Sequence, residues 1–172
     1  DPLNANLRDN GVGLTPRAAG SDAERRCTTV ACGSIMSFVT IPFGWHVFDD
    51  GRRALVFTPD SAVHIEFRLL RRDGRDDAAM IERFIADLSA HPGVQWLKLD
   101  LGGMASLALR QVPIGNDMAE QVHMLKACPF DPDLVLCIST TTAMGRMSDT
   151  LDLVEIMLRD FRFASESAPP GA

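Results

Sequence analysis

The chain has only two lysines, Lys98 and Lys126, against fifteen arginines. GC-rich coding sequence produces that bias by itself. The net charge is −6 and the pI near 5.1, so a basic surface for gripping nucleic acid is missing. No apolar run is long enough to cross a bilayer. There is no Walker sequence, no Gly-x-Gly-x-x-Gly between a strand and a helix, and no Gly-x-Ser-x-Gly elbow. The ordinary phosphate cradles and hydrolase nucleophiles are therefore not signalled. Gly11 and Gly13 lie outside any strand-to-helix context. The sequence by itself assigns no chemistry.

What is present describes one domain of ordinary size. The 172 residues are 46% hydrophobic and 23% charged, enough apolar material for a substantial core. Residues 1–33 are rich in Asn, Asp, Gly, Arg, Ser and Thr without apolar period and read as a flexible leader. Residues 34–163 form the expected folded unit, and 164–172, with Pro169-Pro170-Gly171, a frayed tail. The sequence opens at Asp1 rather than Met, which reads as a processed or trimmed product. That reading favours an exported, periplasmic location over a cytoplasmic one. Thr29-Val30-Ala31-Cys32 is a poor lipoprotein box, because Asp22-Ala23-Glu24-Arg25-Arg26 stands where an apolar signal core belongs.

Periodicity supplies the elements. Ile41 to Phe48, Arg53 to Thr58 and Ala62 to Leu70 are three strand-like runs separated by turn residues. In the third, Val63, Ile65, Phe67 and Leu69 alternate with His64, Glu66 and Arg68. Ile81, Phe84, Ile85 and Leu88 then recur at helical spacing, with Asp76 or Asp77 as cap and Pro92-Gly93 as terminator. Val94 to Leu101 and Met104 to Val112 flank Gly102-Gly103, a two-residue hairpin signal. Met118 to Ala127 and Leu134 to Thr142 flank a Pro-Asp turn. A last helix spans about Ser148 to Phe161 on a seam of Leu151, Val154, Leu158 and Phe161. This order predicts an α+β fold: a mostly antiparallel sheet of about six or seven strands with two main helices.

Candidate sites are few. His64 and Glu66 share a strand face and His46 sits on a neighbouring strand, but no close-spaced ligand signature accompanies them, and no metal or cofactor is expected. The best binding candidate is the polar side of the sheet: His64, Glu66, Arg68, Lys98, Arg110, Gln121 and His123. Met104, Met118 and Met124 could add adaptable apolar contacts there, or simply be core. Trp45 anchors the start of the first strand. Trp96, out of phase with Leu97 and Leu99, faces either the second helix or an interface. Cys128 and Cys137 sit symmetrically about the Pro-Asp turn. They read either as a cross-hairpin disulfide or as two buried thiols. Cys27 and Cys32, spaced C-x4-C, read as a second disulfide or as unremarkable thiols.

The element order, the opening Ile41-Pro42-x-Gly44-Trp45, the Leu136-Cys137-Ile138-Ser139-Thr140-Thr141-Thr142 strand and the helix entered through Ser148-Asp149 together resemble the Mog/PsbP-like superfamily. Within it the chain looks nearest to bacterial DcrB-type proteins of the DUF1795 group. The likeness covers residues 38–163 and implies an α/β/α sandwich. It also implies a non-catalytic accessory role with a protein partner: relatives bind a Ran-type GTPase or photosystem II, or act as dimeric chaperones of secreted effectors. Envelope lipoproteins also belong to the DcrB kind. The family pattern carries over no catalytic residue. A homodimer and an exported, disulfide-containing envelope protein are both consistent with the resemblance, and a small hydrolase or metal enzyme ranks behind them.

Overall fold

A computed structural model describes residues 25–32, 35–159 and 161–164. The expected leader and tail lie mostly outside the described residues, but Arg25–Cys32 does not. It is a strand, β1, paired antiparallel with β2, Ile35–Pro42. The folded unit therefore begins no later than Arg25, and the leader boundary at residue 33 is too late. Apolar period was hard to see in β1 because Arg, Cys and Thr occupy most of its positions.

The run Ile41 to Phe48 is not one strand. Ile41 and Pro42 end β2, and the chain turns at Phe43-Gly44, where Trp45 N–H donates to the Pro42 carbonyl at 3.3 Å. Gly44 takes φ +90°, a conformation that L residues rarely adopt, and a buried Trp45 pins the corner. A new strand, β3, then runs His46–Asp49 in a different sheet. It pairs with β4, Arg53–Phe57, which pairs with β5, Val63–Arg71.

Helix α1, Asp77–Asp87, follows, capped by Asp76, whose Oδ1 accepts from Ala79 N–H at 2.8 Å. A 3-10 turn, Leu88–Ala90, finishes it ahead of Pro92-Gly93. Then come β6, Gln95–Leu101; β7, Met104–Ile114; β8, Asp117–Ala127; and β9, Leu134–Ala143. Helix α2 is Met147–Arg159, and a short β10, Arg162–Phe163, joins β2.

The main sheet has seven strands in the order β3-β4-β5-β9-β8-β7-β6, every pairing antiparallel, and the second has three in the order β1-β2-β10. On one face of the main sheet α2 and the small sheet bury Val56, Ile65, Phe67, Val122 and Ile138 with Val39, Val154, Met157 and Phe163. On the other face α1 buries Leu107, Leu109, Leu125 and Cys137 under Met80 and Ile81. The α+β expectation holds, and the layer opposite α1 is part helix and part sheet.

The register between β8 and β9 decides between the two readings of Cys128 and Cys137 in favour of buried thiols. Leu125, not Cys128, lies opposite Cys137, and Ala127–Val135 is the last pair before the turn. The offset is odd, so the two thiols fall on opposite sides of the sheet, Cys128 in one core cluster and Cys137 in the other. Both are free and buried. Cys27 and Cys32 lie five residues apart along one continuous strand, about 16 Å between Cα atoms, too far for a mutual disulfide. Their side chains lie outside the described residues.

Candidate functional site

Strand alternation sends His46 and Phe48 of β3, Arg53, Leu55 and Phe57 of β4, and His64, Glu66 and Arg68 of β5 to the α1 side of the sheet. Helix α1 lies at the β7 end. Among the described residues the β3–β5 half therefore has no helix over it. The partners across the strands are His46–Phe57–His64 in one row and Phe48–Leu55–Glu66 in the next. Ring centroids in the first row stand 5.5 and 6.1 Å apart. Phe57 thus separates the two histidines. Among the described residues no three His, Cys, Asp or Glu side chains are placed to hold a metal ion.

Glu66 is the electrostatic centre of this half. Arg53 Nη1 donates to its Oε2 at 2.9 Å and Arg68 Nε lies 3.9 Å from its Oε1. Both arginines remain about half exposed while the carboxylate is 20% exposed, so the guanidinium groups face solvent over a shielded anion. Phe48, 49% exposed, completes the patch.

The rows continue under α1. Glu66 stands opposite Ser139, and Ser139 opposite His123. His123 Nδ1 lies 2.7 Å from Ser139 Oγ, and its ring contacts Phe84 of α1 at 5.8 Å. Burial lowers the His123 pKa to about 4, helped by the Arg68 charge, so the imidazole is neutral near pH 7. Cys137 Sγ is 3.6 Å from the same hydroxyl, and burial raises its pKa. A base titrating near pH 4 is weak at neutral pH, and no carboxylate is hydrogen-bonded to the His123 ring among the described residues. The pair reads as a polar link locking β8 to β9 rather than a nucleophile and its base.

Of the seven side chains expected to form a polar binding face, six share it and Arg110 does not. Arg110 points to the opposite face, where its Nε lies 3.8 Å from buried Glu120. Lys98 is tied to Glu82 of α1. Gln121 donates to Thr141 Oγ1 at 3.1 Å, and His64 Nε2 meets the Ser61 carbonyl at 2.5 Å. The open part of the face keeps His64, Glu66 and Arg68 and adds His46, Phe48, Arg53, Leu55 and Phe57. Sequence reasoning set His46 beside His64 and Glu66 only as a metal candidate and missed the other four. The signal was there in the phase opposite to buried Ala54 and Val56, once β3 and β4 are aligned as a hairpin.

Met104 and Met124 lie on the far face, lining a groove of about 540 Å³ between α2 and β6–β8, with Leu101, Leu151 and Leu158. Lys126 also borders it, its ammonium 5.7 Å over the ring of Phe161 and 5.9 Å over that of Phe163. Met118 is 53% exposed at the start of β8. Trp96 does not reach α2: it lies on the α1 face, 48% exposed, with Lys98 Nζ 5.9 Å from its ring.

Three solved structures bear comparison with this architecture. LpqN, described as involved in cell envelope biogenesis of Mycobacterium tuberculosis, aligns over 87% of this chain and 96% of its own with TM-score 0.53 and 16% identity. The Saccharomyces cerevisiae Ran-binding protein Mog1p aligns over 80% and 95%, with TM-score 0.53 and 14% identity. Cyanobacterial PsbP from Synechocystis aligns over 87% and 98%, with TM-score 0.52 and 13% identity. The chain has the Mog/PsbP-like fold. No protein-family model and no curated protein sequence matches it. At these identities the Mog/PsbP likeness speaks for architecture only, and the surfaces described above must carry the functional argument.

Proposed function

We propose that this chain is a non-catalytic, protein-binding accessory module of the Mog/PsbP-like kind, engaging its partner through the uncovered β3–β5 half of the sheet. The observation that carries the reading is this half-face, which no helix covers among the described residues. It sets exposed Phe48 and the His46–Phe57–His64 row beside the half-exposed arginines flanking Glu66. Aromatic and arginine side chains are the groups that most often dominate protein–protein binding energy. That a protein of the same fold is Ran-binding supports the class of function, and says nothing about which partner this chain takes.

The finer form of the reading is a DcrB-type chaperone or adaptor for a secreted protein. The apolar groove beneath α2 supports it, since Met104 and Met124 could adapt to an apolar client segment. A second reading, an envelope accessory protein exported to the periplasm, draws support from the likeness to LpqN. It no longer draws support from a Cys128–Cys137 bridge, as those thiols lie on opposite sheet faces.

Photo-crosslinking in the native host, with the reactive group at position 48 and in parallel at position 151, tests the site. A discrete protein adduct from position 48 that disappears with Arg68→Glu is the expected result. Adducts only from position 151 would move the site to the α2 groove. Adducts from neither would overturn the binding-module reading.

A further inference from the structure

The strand β6 is one of the two outer strands of the main sheet; among the described residues its outer edge is unpaired, and it carries some of the most exposed apolar side chains. Trp96 is 48% exposed and Leu97 60%, while Leu99 and Leu101 are half-buried. Such an edge is a template for another strand, and proteins usually blunt it. Its order, Trp96-Leu97-Lys98-Leu99-Asp100-Leu101, is instead complementary to itself.

The pairing parity follows from the hairpin. Gly102 and Gly103, with φ +61° and +83°, make a two-residue loop between Leu101 and Met104. Such a loop closes on a hydrogen-bonded pair, so Leu97, Leu99 and Leu101 turn their N–H and C=O groups inward to β7. Trp96, Lys98 and Asp100 then present theirs at the free edge. An antiparallel two-fold pairing must match outward residues with outward residues, which leaves a short series of registers.

We infer that two copies of this chain pair antiparallel along β6, on a two-fold axis at Leu99, with Lys98 of each copy opposite Asp100 of the partner subunit. This register sets Leu97 opposite the partner's Leu101 and Leu99 opposite the partner's Leu99. One side of the junction is therefore a continuous leucine stripe. The other side carries two opposite-charge pairs, each extended by Glu82, which already holds Lys98 within its own chain. The two neighbouring registers centre on a charge. One sets Lys98 against the partner's Lys98, the other Asp100 against the partner's Asp100, and like charges directly opposed are unfavourable. The charge pattern thus favours this register over both of its neighbours; the next one, centred on Leu97, would set Trp96 against the partner's Lys98 and leave both Asp100 carboxylates without a cross-strand cation.

Two further features agree. The leucine stripe runs on through Leu101 into the groove lined by Met104 and Leu151, so the junction and the groove share one apolar surface. The β3–β5 half lies at the opposite edge of the sheet and stays open in each copy, so the inference is independent of the partner-binding reading.

Sedimentation velocity of the full 172-residue chain over a concentration series tests it. The wild type is expected to be dimeric. Asp100→Lys sets Lys98 against a lysine and raises the dimer dissociation constant by at least about tenfold, and Lys98→Glu does the same through the partner's Asp100. Mixing these two variants restores a dimer, because both cross-strand pairs are then of opposite sign. A misfolded variant could not be rescued this way. Asp100→Asn keeps the acceptor that Asp100 Oδ1 offers to Gly103 N–H while losing the charge, and gives an intermediate constant. Hydrogen exchange should show the Lys98 and Asp100 amides protected in the dimer. A wild type that stays monomeric up to about 100 µM, or a dimer that Asp100→Lys leaves intact, overturns the inference.

Discussion

The imidazole of His123 on β8 and the hydroxyl of Ser139 on β9 meet at 2.7 Å beneath the Phe84 ring of α1. Burial of the imidazole at this contact, with the Arg68 charge nearby, makes stability depend on pH. In the unfolded chain His123 takes up a proton near pH 6.5, and in the folded protein only near pH 4. Between those values the unfolded state binds more protons, so stability rises with pH across that window, is level above it, and falls on acidification. The slope from this one group reaches at most about 1.4 kcal/mol per pH unit, with a total on the order of 3 kcal/mol. Urea unfolding at pH 7.5, 6 and 5 should show the loss in the wild type and a smaller one in His123→Asn. Parallel pH profiles for the two proteins would refute the assignment.

Thr140 sits at the centre of the main sheet, fully buried, between Ile65 and Val122. Its hydroxyl has no hydrogen-bond partner among the described residues. Replacing that hydroxyl with a methyl group removes an uncompensated polar atom and keeps the shape. Thr140→Val is expected to raise stability by about 1 kcal/mol, seen as a higher urea midpoint at unchanged slope. A lower midpoint would mean that the hydroxyl is satisfied after all.

Phe163 and Phe48 make a contrasting pair. Phe163 is 1% exposed, edge-on to Phe161 at 5.3 Å and to Phe130 at 5.8 Å. Phe163→Ala should cost about 3–5 kcal/mol. Phe48→Ala, on the open half-face, should stay within about 0.5 kcal/mol and instead weaken partner capture. A large thermal shift for Phe48→Ala would show that the residue is structural and remove it from the binding face.

Cys128 and Cys137 are buried on opposite faces of the sheet, and burial raises the Cys137 thiol pKa. Iodoacetamide should label neither in the folded protein and both after unfolding in denaturant, as peptide mapping reads out. Rapid native-state labelling of Cys137 would show that α1 leaves that face accessible.

Most of the main sheet was legible in the sequence because its signals are local. Val63, Ile65, Phe67 and Leu69 alternate without interruption, Gly102-Gly103 dictates a two-residue turn, and Asp76 caps a helix whose stripe is complete. Failures occurred where the deciding fact was a register or a partner distant in sequence. Nothing near Cys128 states that the β8–β9 offset is odd. Pro42 and Gly44 announce a turn without saying that the chain changes sheets there. Arg25–Cys32 looks like a linker until β2 is recognised beside it. The polar face was found from β5, β6 and β8, with Arg110 of β7 wrongly added to it. Its aromatic half, on β3 and β4, needed the hairpin alignment of His46 with Phe57 and Phe48 with Leu55.

The pairing of β10 with β2 has a consequence for how the chain is made. Phe163 docks beside Ser37, and Arg162 beside Phe38, so an early strand receives one of its two neighbours only after every other element of the described fold has been synthesised. The α1-side core draws its residues from Leu70 to Cys137 and can close while synthesis continues. The opposite core needs Val39 and Ile41 from β2 together with Phe161 and Phe163 from beyond α2. During elongation the nascent chain therefore carries one finished sheet face and one still bare, and contacts of such long sequence separation form slowly. A ribosome stalled before Phe161 would hold a half-clad domain, which makes the last few residues of the fold its closing clasp.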